Sequence, residues 1–164
     1  IYEAFTYYER EVLPYKNDDT INAKAMPGAH AALQAVQDAG LRCALFTNPS
    51  FPQGAIECRM GWGELTDAPF ELVTHMGNAT RCKPDVTYYL EQLQVMELDP
   101  HEVLMVGNDP KRDFPSPDCG IQTAYVGQGK PSRATWRGTM EDFARNFNAV
   151  VEAFYEHQVA DELS

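Results

Sequence analysis

Two short apolar runs that each end in a polar turn constrain this chain more than any other feature. Leu41 to Phe46 closes on Thr47-Asn48-Pro49, and Val103 to Val106 closes on Gly107-Asn108-Asp109. Apolar runs of this length, bounded by turn residues, read as strands buried on both faces. Phe70 to Thr74 and Thr123 to Val126 fit the same description. Helical spacing fills the intervals. Ile1, Ala4, Phe5, Tyr8 and Val12 predict a first helix ended by Pro14, and Ala29, Ala32, Leu33 and Val36 a second, opened by Pro27 and stopped at Gly40. Phe51 to Met60 predicts a third, and Asp85 to Met96, with Val86, Tyr89, Leu90 and Leu93, a fourth begun by Pro84. Thr139, three residues before Asp142, predicts a capping box; Phe143, Phe147, Val150 and Phe154 continue it as one long helix. Helices alternating with short apolar strands indicate an α/β fold, a Rossmann-like doubly wound parallel sheet.

A chain of 164 residues suits one domain, and 44% hydrophobic with 23% charged residues excludes a collagenous, low-complexity or wholly disordered polymer. The net charge of -11 would repel nucleic-acid backbones and anionic lipid. No apolar stretch approaches the roughly 20 residues of a membrane span, and no secretory signal opens the sequence, so a cytoplasmic protein is expected. The four cysteines, Cys43, Cys58, Cys82 and Cys119, form no CxxC pair and read as free thiols.

In doubly wound sheets ligands bind beyond the carboxyl ends of the strands. Three groups fall there. Thr47 and Asn48 close one strand, Lys83 precedes the helix begun at Pro84, and Asp109 with Asp113 follows another strand. A hydroxyl with backbone amides, an ammonium and two carboxylates suit a phosphate held beside a divalent cation. The four histidines lie far apart and show no ligand spacing, and a glycine-rich phosphate loop is missing, which disfavours a nucleotide-binding domain of flavodoxin type.

LFTNP, CKP and VLMVGNDPKRD resemble the second, third and fourth signature motifs of the haloacid dehalogenase (HAD) superfamily, over roughly Pro27 to Val126. The resemblance implies a HAD-like core and, in most members, a magnesium-dependent phosphatase acting on a small phosphorylated metabolite. By that resemblance Thr47 bonds the transferring phosphoryl group, with Asn48 as a further phosphate contact through its backbone amide. Lys83 neutralises charge on nucleophile and phosphate, Asp109 ligates Mg2+, and Asp113 orients metal-bound water or the lysine.

The superfamily's first motif, an apolar strand ending in DxDxT, supplies the nucleophile and the general acid-base; this sequence contains no such motif. Asp18-Asp19-Thr20 lacks both the spacing and a preceding apolar strand. Residues 1–25 resemble the end of a helical cap and its linker, which leaves 26–164 as a HAD-like core without its first strand. The nucleophile is then expected on a segment upstream of Ile1, or on a separate N-terminal segment that supplies the strand. The alternative is a catalytically inactive module, in which a HAD fold survives for interaction or regulation.

Overall fold

The computed structural model describes residues 2–18, 21–131 and 133–162. Asp19 and Thr20 of the discounted Asp18-Asp19-Thr20 candidate therefore lie outside the described residues. The chain opens with α1 (Tyr2–Tyr7), a π-helical turn (Tyr8–Val12) and a 3-10 turn (Leu13–Lys16). Pro14 does not stop this segment; it occupies the start of the 3-10 turn, where its missing N–H leaves no helical bond unmade. Then follow α2 (Ala29–Asp38), β1 (Ala44–Leu45), α3 (Gln53–Trp62), β2 (Leu72–Val73), α4 (Val86–Met96) and β3 (Leu104–Gly107). β4 (Gln122–Val126), β5 (Trp136–Gly138), α5 (Met140–Arg145) and α6 (Phe147–Glu162) complete it.

All strand pairs are parallel, as the alternating pattern requires. β1 pairs with β2, while β3, β4 and β5 form a second sheet in that order. Among the described residues β1 and β3 are not paired with one another, so each presents an edge. The predicted strand at Leu41 to Phe46 is reduced to Ala44–Leu45, the two residues that pair with Leu72 and Val73 of β2.

From Val103, just before β3, to Val106 the side chains alternate between two cores, which is how a doubly covered sheet reads at the residue level. Leu104 and Val106 pack with Ala32, Ala124, Val126, Phe143, Phe147 and Val150, under α2, α5 and α6. Val103 and Met105 pack with Tyr88, Tyr89, Leu93, Cys119 and Ile121, under α4. Leu90, expected on the buried stripe of α4, is 43% exposed, and Tyr88 takes its place inside.

Helix ends follow local chemistry. The Asp85 carboxylate accepts from the Thr87 amide and caps α4. Thr139 and Asp142 form the expected capping box on α5. The predicted single C-terminal helix is broken at Asn146, whose side-chain amide donates to the Asp142 carbonyl (2.8 Å) and competes with continuation of the helix. Pro27 does not begin α2. The helix starts two residues later, after Gly28 at φ +86°, where a Cβ would come within 2.6 Å of the Glu141 backbone. No helix among the described residues is long and apolar enough to cross a membrane.

Candidate active site

The turn after β3 is built by Asp113. Its carboxylate folds back so that Oδ2 accepts from the amides of Asn108 (3.0 Å) and Asp109 (2.9 Å), and the Asp109 carbonyl accepts from the Asp113 amide (2.7 Å). The close return requires Gly107, where a Cβ would sit 2.4 Å from Asp113 Cβ. The other carboxylate oxygen takes the Lys83 ammonium at 2.6 Å, and both side chains of this pair are about nine-tenths buried (9% and 12% exposed). One carboxylate thus receives Lys83 on one side and the Asp109 backbone on the other. Two groups 26 residues apart in sequence are brought to one point.

Asp109 itself is more open. Its Oδ1 accepts from the Lys111 amide (3.0 Å), and its Oδ2 faces the Arg112 guanidinium at 3.7 Å, while Lys111 and Arg112 are exposed. Beside it a cavity of about 370 Å³ is lined by Pro110, Lys111, Phe114, Pro131 and Arg133.

The Thr47 turn is tied from behind by residues the sequence reading did not assign. The Thr47 amide donates to Thr74 Oγ1 (2.7 Å), its hydroxyl donates to the Thr74 carbonyl (2.6 Å), and its carbonyl accepts from the Tyr88 hydroxyl (2.7 Å). Thr74 and Tyr88 are both fully buried. Asn48, by contrast, is exposed. In this arrangement the Thr47 hydroxyl proton is committed to the Thr74 carbonyl, and Asn48 is the exposed neighbour in the turn. Burial in the α4 core raises the Tyr88 and Tyr89 hydroxyl pKa values above that of a free tyrosine.

A larger cavity of about 670 Å³ adjoins the Thr47 turn, walled by Ser50, Phe51 and Met76 on one side and by Phe5, Tyr8 and Leu13 on the other. Arg59 lies over the Phe51 ring at 4.0 Å. The four cysteines are free thiols.

A divalent cation needs hard oxygen donors. Among the described residues no three His, Cys, Asp or Glu side chains cluster as a metal site. The Asp113 carboxylate is buried against Lys83 and two backbone amides, so the carboxylate this chain offers is that of Asp109, whose side chain is 44% exposed and bonded more loosely. That fits Mg2+, which commonly takes one or two protein carboxylates and completes its shell with water and phosphate oxygens.

Parallel strands with helices between them, and polar side chains gathered in the turns after β1 and β3, make this an α/β protein whose candidate site lies where ligands bind in such sheets. The chain belongs to the haloacid dehalogenase-like hydrolases, whose family pattern matches residues 4–117. Among solved structures it is similar to beta-phosphoglucomutase from Clostridium difficile (16% identity, TM-score 0.66, 80% of this chain and 57% of that one). A HAD phosphatase from Thermococcus onnurineus gives 19% identity and TM-score 0.62, over 74% of this chain and 57% of that one. A HAD-like hydrolase from Xanthomonas campestris gives 18% identity and TM-score 0.62, over 81% and 54%. At these identities the likeness is one of fold, and the chain spans less than two thirds of each of these structures. No curated protein matches it.

Proposed function

We propose that this chain is the phosphate- and metal-holding part of a magnesium-dependent phosphate-monoester hydrolase that works through an aspartyl-phosphate intermediate. The buried Lys83–Asp113 pair carries the reading. A lysine paired with a carboxylate at 2.6 Å, both side chains about nine-tenths buried, has little structural justification, because an apolar pair of similar volume would commonly serve stability as well or better. At that point an ammonium can neutralise a phosphoryl group.

In this scheme Asn48 offers its backbone N–H to a phosphate oxygen. Thr47 joins it when its hydroxyl rotates from the Thr74 carbonyl toward the anion. Lys83 balances charge on the nucleophile and the transferring group, Asp113 orients Lys83, and Asp109 holds Mg2+. The cation, when bound, screens the phosphoryl charge against the attacking carboxylate. The nucleophile is assigned to a segment upstream of Ile1, whose strand would lie between the β1 and β3 edges, and residues 1–25 to the end of a helical cap. Two observations support an additional segment. The chain exposes 10339 Å², against about 8,200 Å² for a self-contained protein of its mass. Phe5, Tyr7, Tyr8 and Tyr15 are all exposed at the N-terminal end. A small phosphorylated metabolite is the substrate class.

The inactive-module reading draws on one observation, that Asp113 is the single carboxylate bonded to Lys83 among the described residues. One experiment separates the two. Protein carrying the upstream segment should cleave p-nitrophenyl phosphate with Mg2+ and lose that turnover in Asp109→Ala. Turnover unaffected by the substitution would overturn the proposal, and phosphate binding without any turnover would favour the inactive module.

A further inference from the structure

Tyr88 and Tyr89 are consecutive residues of α4, both with no exposed surface, and their hydroxyls reach different turns. Successive helical positions point about 100° apart, so one helix can serve two neighbours with adjacent side chains. Their rings meet edge to face with centroids 5.1 Å apart, which fixes one against the other.

The Tyr88 side closes a ring of hydrogen bonds that begins and ends on Thr47. The Thr47 amide can only donate, and it donates to Thr74 Oγ1 at 2.7 Å. The Thr47 carbonyl can only accept, and it takes the single Tyr88 hydroxyl proton at 2.7 Å. The remaining 2.9 Å contact, between Thr74 Oγ1 and the Tyr88 oxygen, must then use the Thr74 proton. Two carbonyls also within reach of that proton, Leu45 O at 3.4 Å and Thr47 O at 3.5 Å, are farther away. The short contacts favour this order of donors, and both bonding groups of the Thr47 backbone are held.

The Tyr89 hydroxyl instead shares its single proton between the carbonyls of Arg112 (2.9 Å) and Asp113 (2.8 Å). These close the same turn that begins at Asp109, whose carbonyl accepts from both the Arg112 and Asp113 amides.

We propose that Tyr88, with Thr74, is a positioning residue for the phosphate-binding turn, and that Tyr89 is a positioning residue for the carboxylate turn, each hydroxyl serving its own turn while the ring contact holds both side chains in place. The division rests on the phosphatase reading for what the two turns bind. It assigns a role to two hydroxyls that touch neither substrate nor cation.

The test titrates inorganic phosphate and Mg2+ separately into wild-type, Tyr88→Phe and Tyr89→Phe protein carrying the upstream segment, following backbone amide resonances. Tyr88→Phe should weaken phosphate by about tenfold and leave Mg2+ within twofold, with faster hydrogen exchange at the Thr47 amide; Tyr89→Phe should do the reverse, with faster exchange at Arg112 and Asp113. A merely structural role for the hydroxyls would change both affinities together or neither, and either result overturns the inference. If wild-type protein carrying the upstream segment binds neither probe, the phosphatase reading fails, and the inference falls with it. The exchange data, which need no ligand, still show whether each hydroxyl secures its own turn. Thr74→Val, which breaks the ring at a different atom, should reproduce the Tyr88→Phe pattern; retention of full phosphate affinity there would also overturn it.

Discussion

Lys83 Nζ lies 2.6 Å from Asp113 Oδ1, across 30 residues of sequence, with both side chains inside the protein. The contact joins the turn before α4 to the turn after β3, and makes one site out of a helix start and a strand end.

Breaking that pair from either side should be costly. Asp113→Asn would leave a buried ammonium without its counter-charge and weaken the two amide bonds that shape the Asp109 turn. A loss of about 3–5 kcal/mol in denaturant unfolding is expected. Lys83→Met, which removes the ammonium and retains much of the volume, should be less damaging to stability than Asp113→Asn while abolishing phosphate binding.

Gly107→Ala should destabilise without any change of charge. The added methyl would meet Asp113 Cβ at 2.4 Å and Oδ2 at 2.7 Å, both held in place. Overpacking of this kind costs typically about 1–3 kcal/mol. Unfolding would report it, and displaced amide resonances at Asn108 and Asp109 would locate it.

Alkaline pH should weaken the fold through the two α4 tyrosines. Burial first, and the nearby Asp113 charge, keep Tyr89 protonated to higher pH than in the unfolded chain; burial dominates likewise for Tyr88. Groups with raised folded pKa stabilise the protein fully below the unfolded tyrosine value of about 10, and that contribution is lost as pH rises beyond it toward the folded value. Unfolding free energy measured from pH 9 to 11 should fall, with a shallower slope in Tyr88→Phe or Tyr89→Phe.

Asp142 gives the opposite sign. Hydrogen bonds from the Thr139 hydroxyl and amide, assisted by Arg145, hold its carboxyl below the usual range. Its contribution is present above the unfolded aspartate value of about 3.9 and lost as pH falls through the folded value. Asp142→Asn should flatten the acid limb of thermal unfolding below about pH 4, and an unchanged acid limb would remove Asp142 from the account.

The strand ends were legible in the sequence because their chemistry is local: an apolar run followed by Thr47-Asn48 or Gly107-Asn108-Asp109 announces itself. β5 was missed because Trp136-Arg137-Gly138 carries one apolar side chain. The available signal was indirect. Thr123 to Val126 are all buried, so β4 had to be flanked on both sides, and β5 flanks it opposite β3. Thr74 and Tyr88 escaped notice because periodicity ranks residues by apolar character. A hydroxyl buried for its hydrogen bonds looks there like an ordinary core or strand-end residue. Leu90 shows the converse, an apolar side chain that the helix leaves in solvent.

The central claim is that Thr47, Lys83 and Asp109 converge on one phosphate and its cation. Joint titration of the chain with Mg2+ and inorganic phosphate, followed at backbone amides, addresses it directly. The account predicts saturable shifts that share one midpoint at Asn48, Lys83 and Asp109, and their disappearance in Lys83→Met. Shifts confined to any one of these turns, or unaltered by the loss of the ammonium, would contradict it.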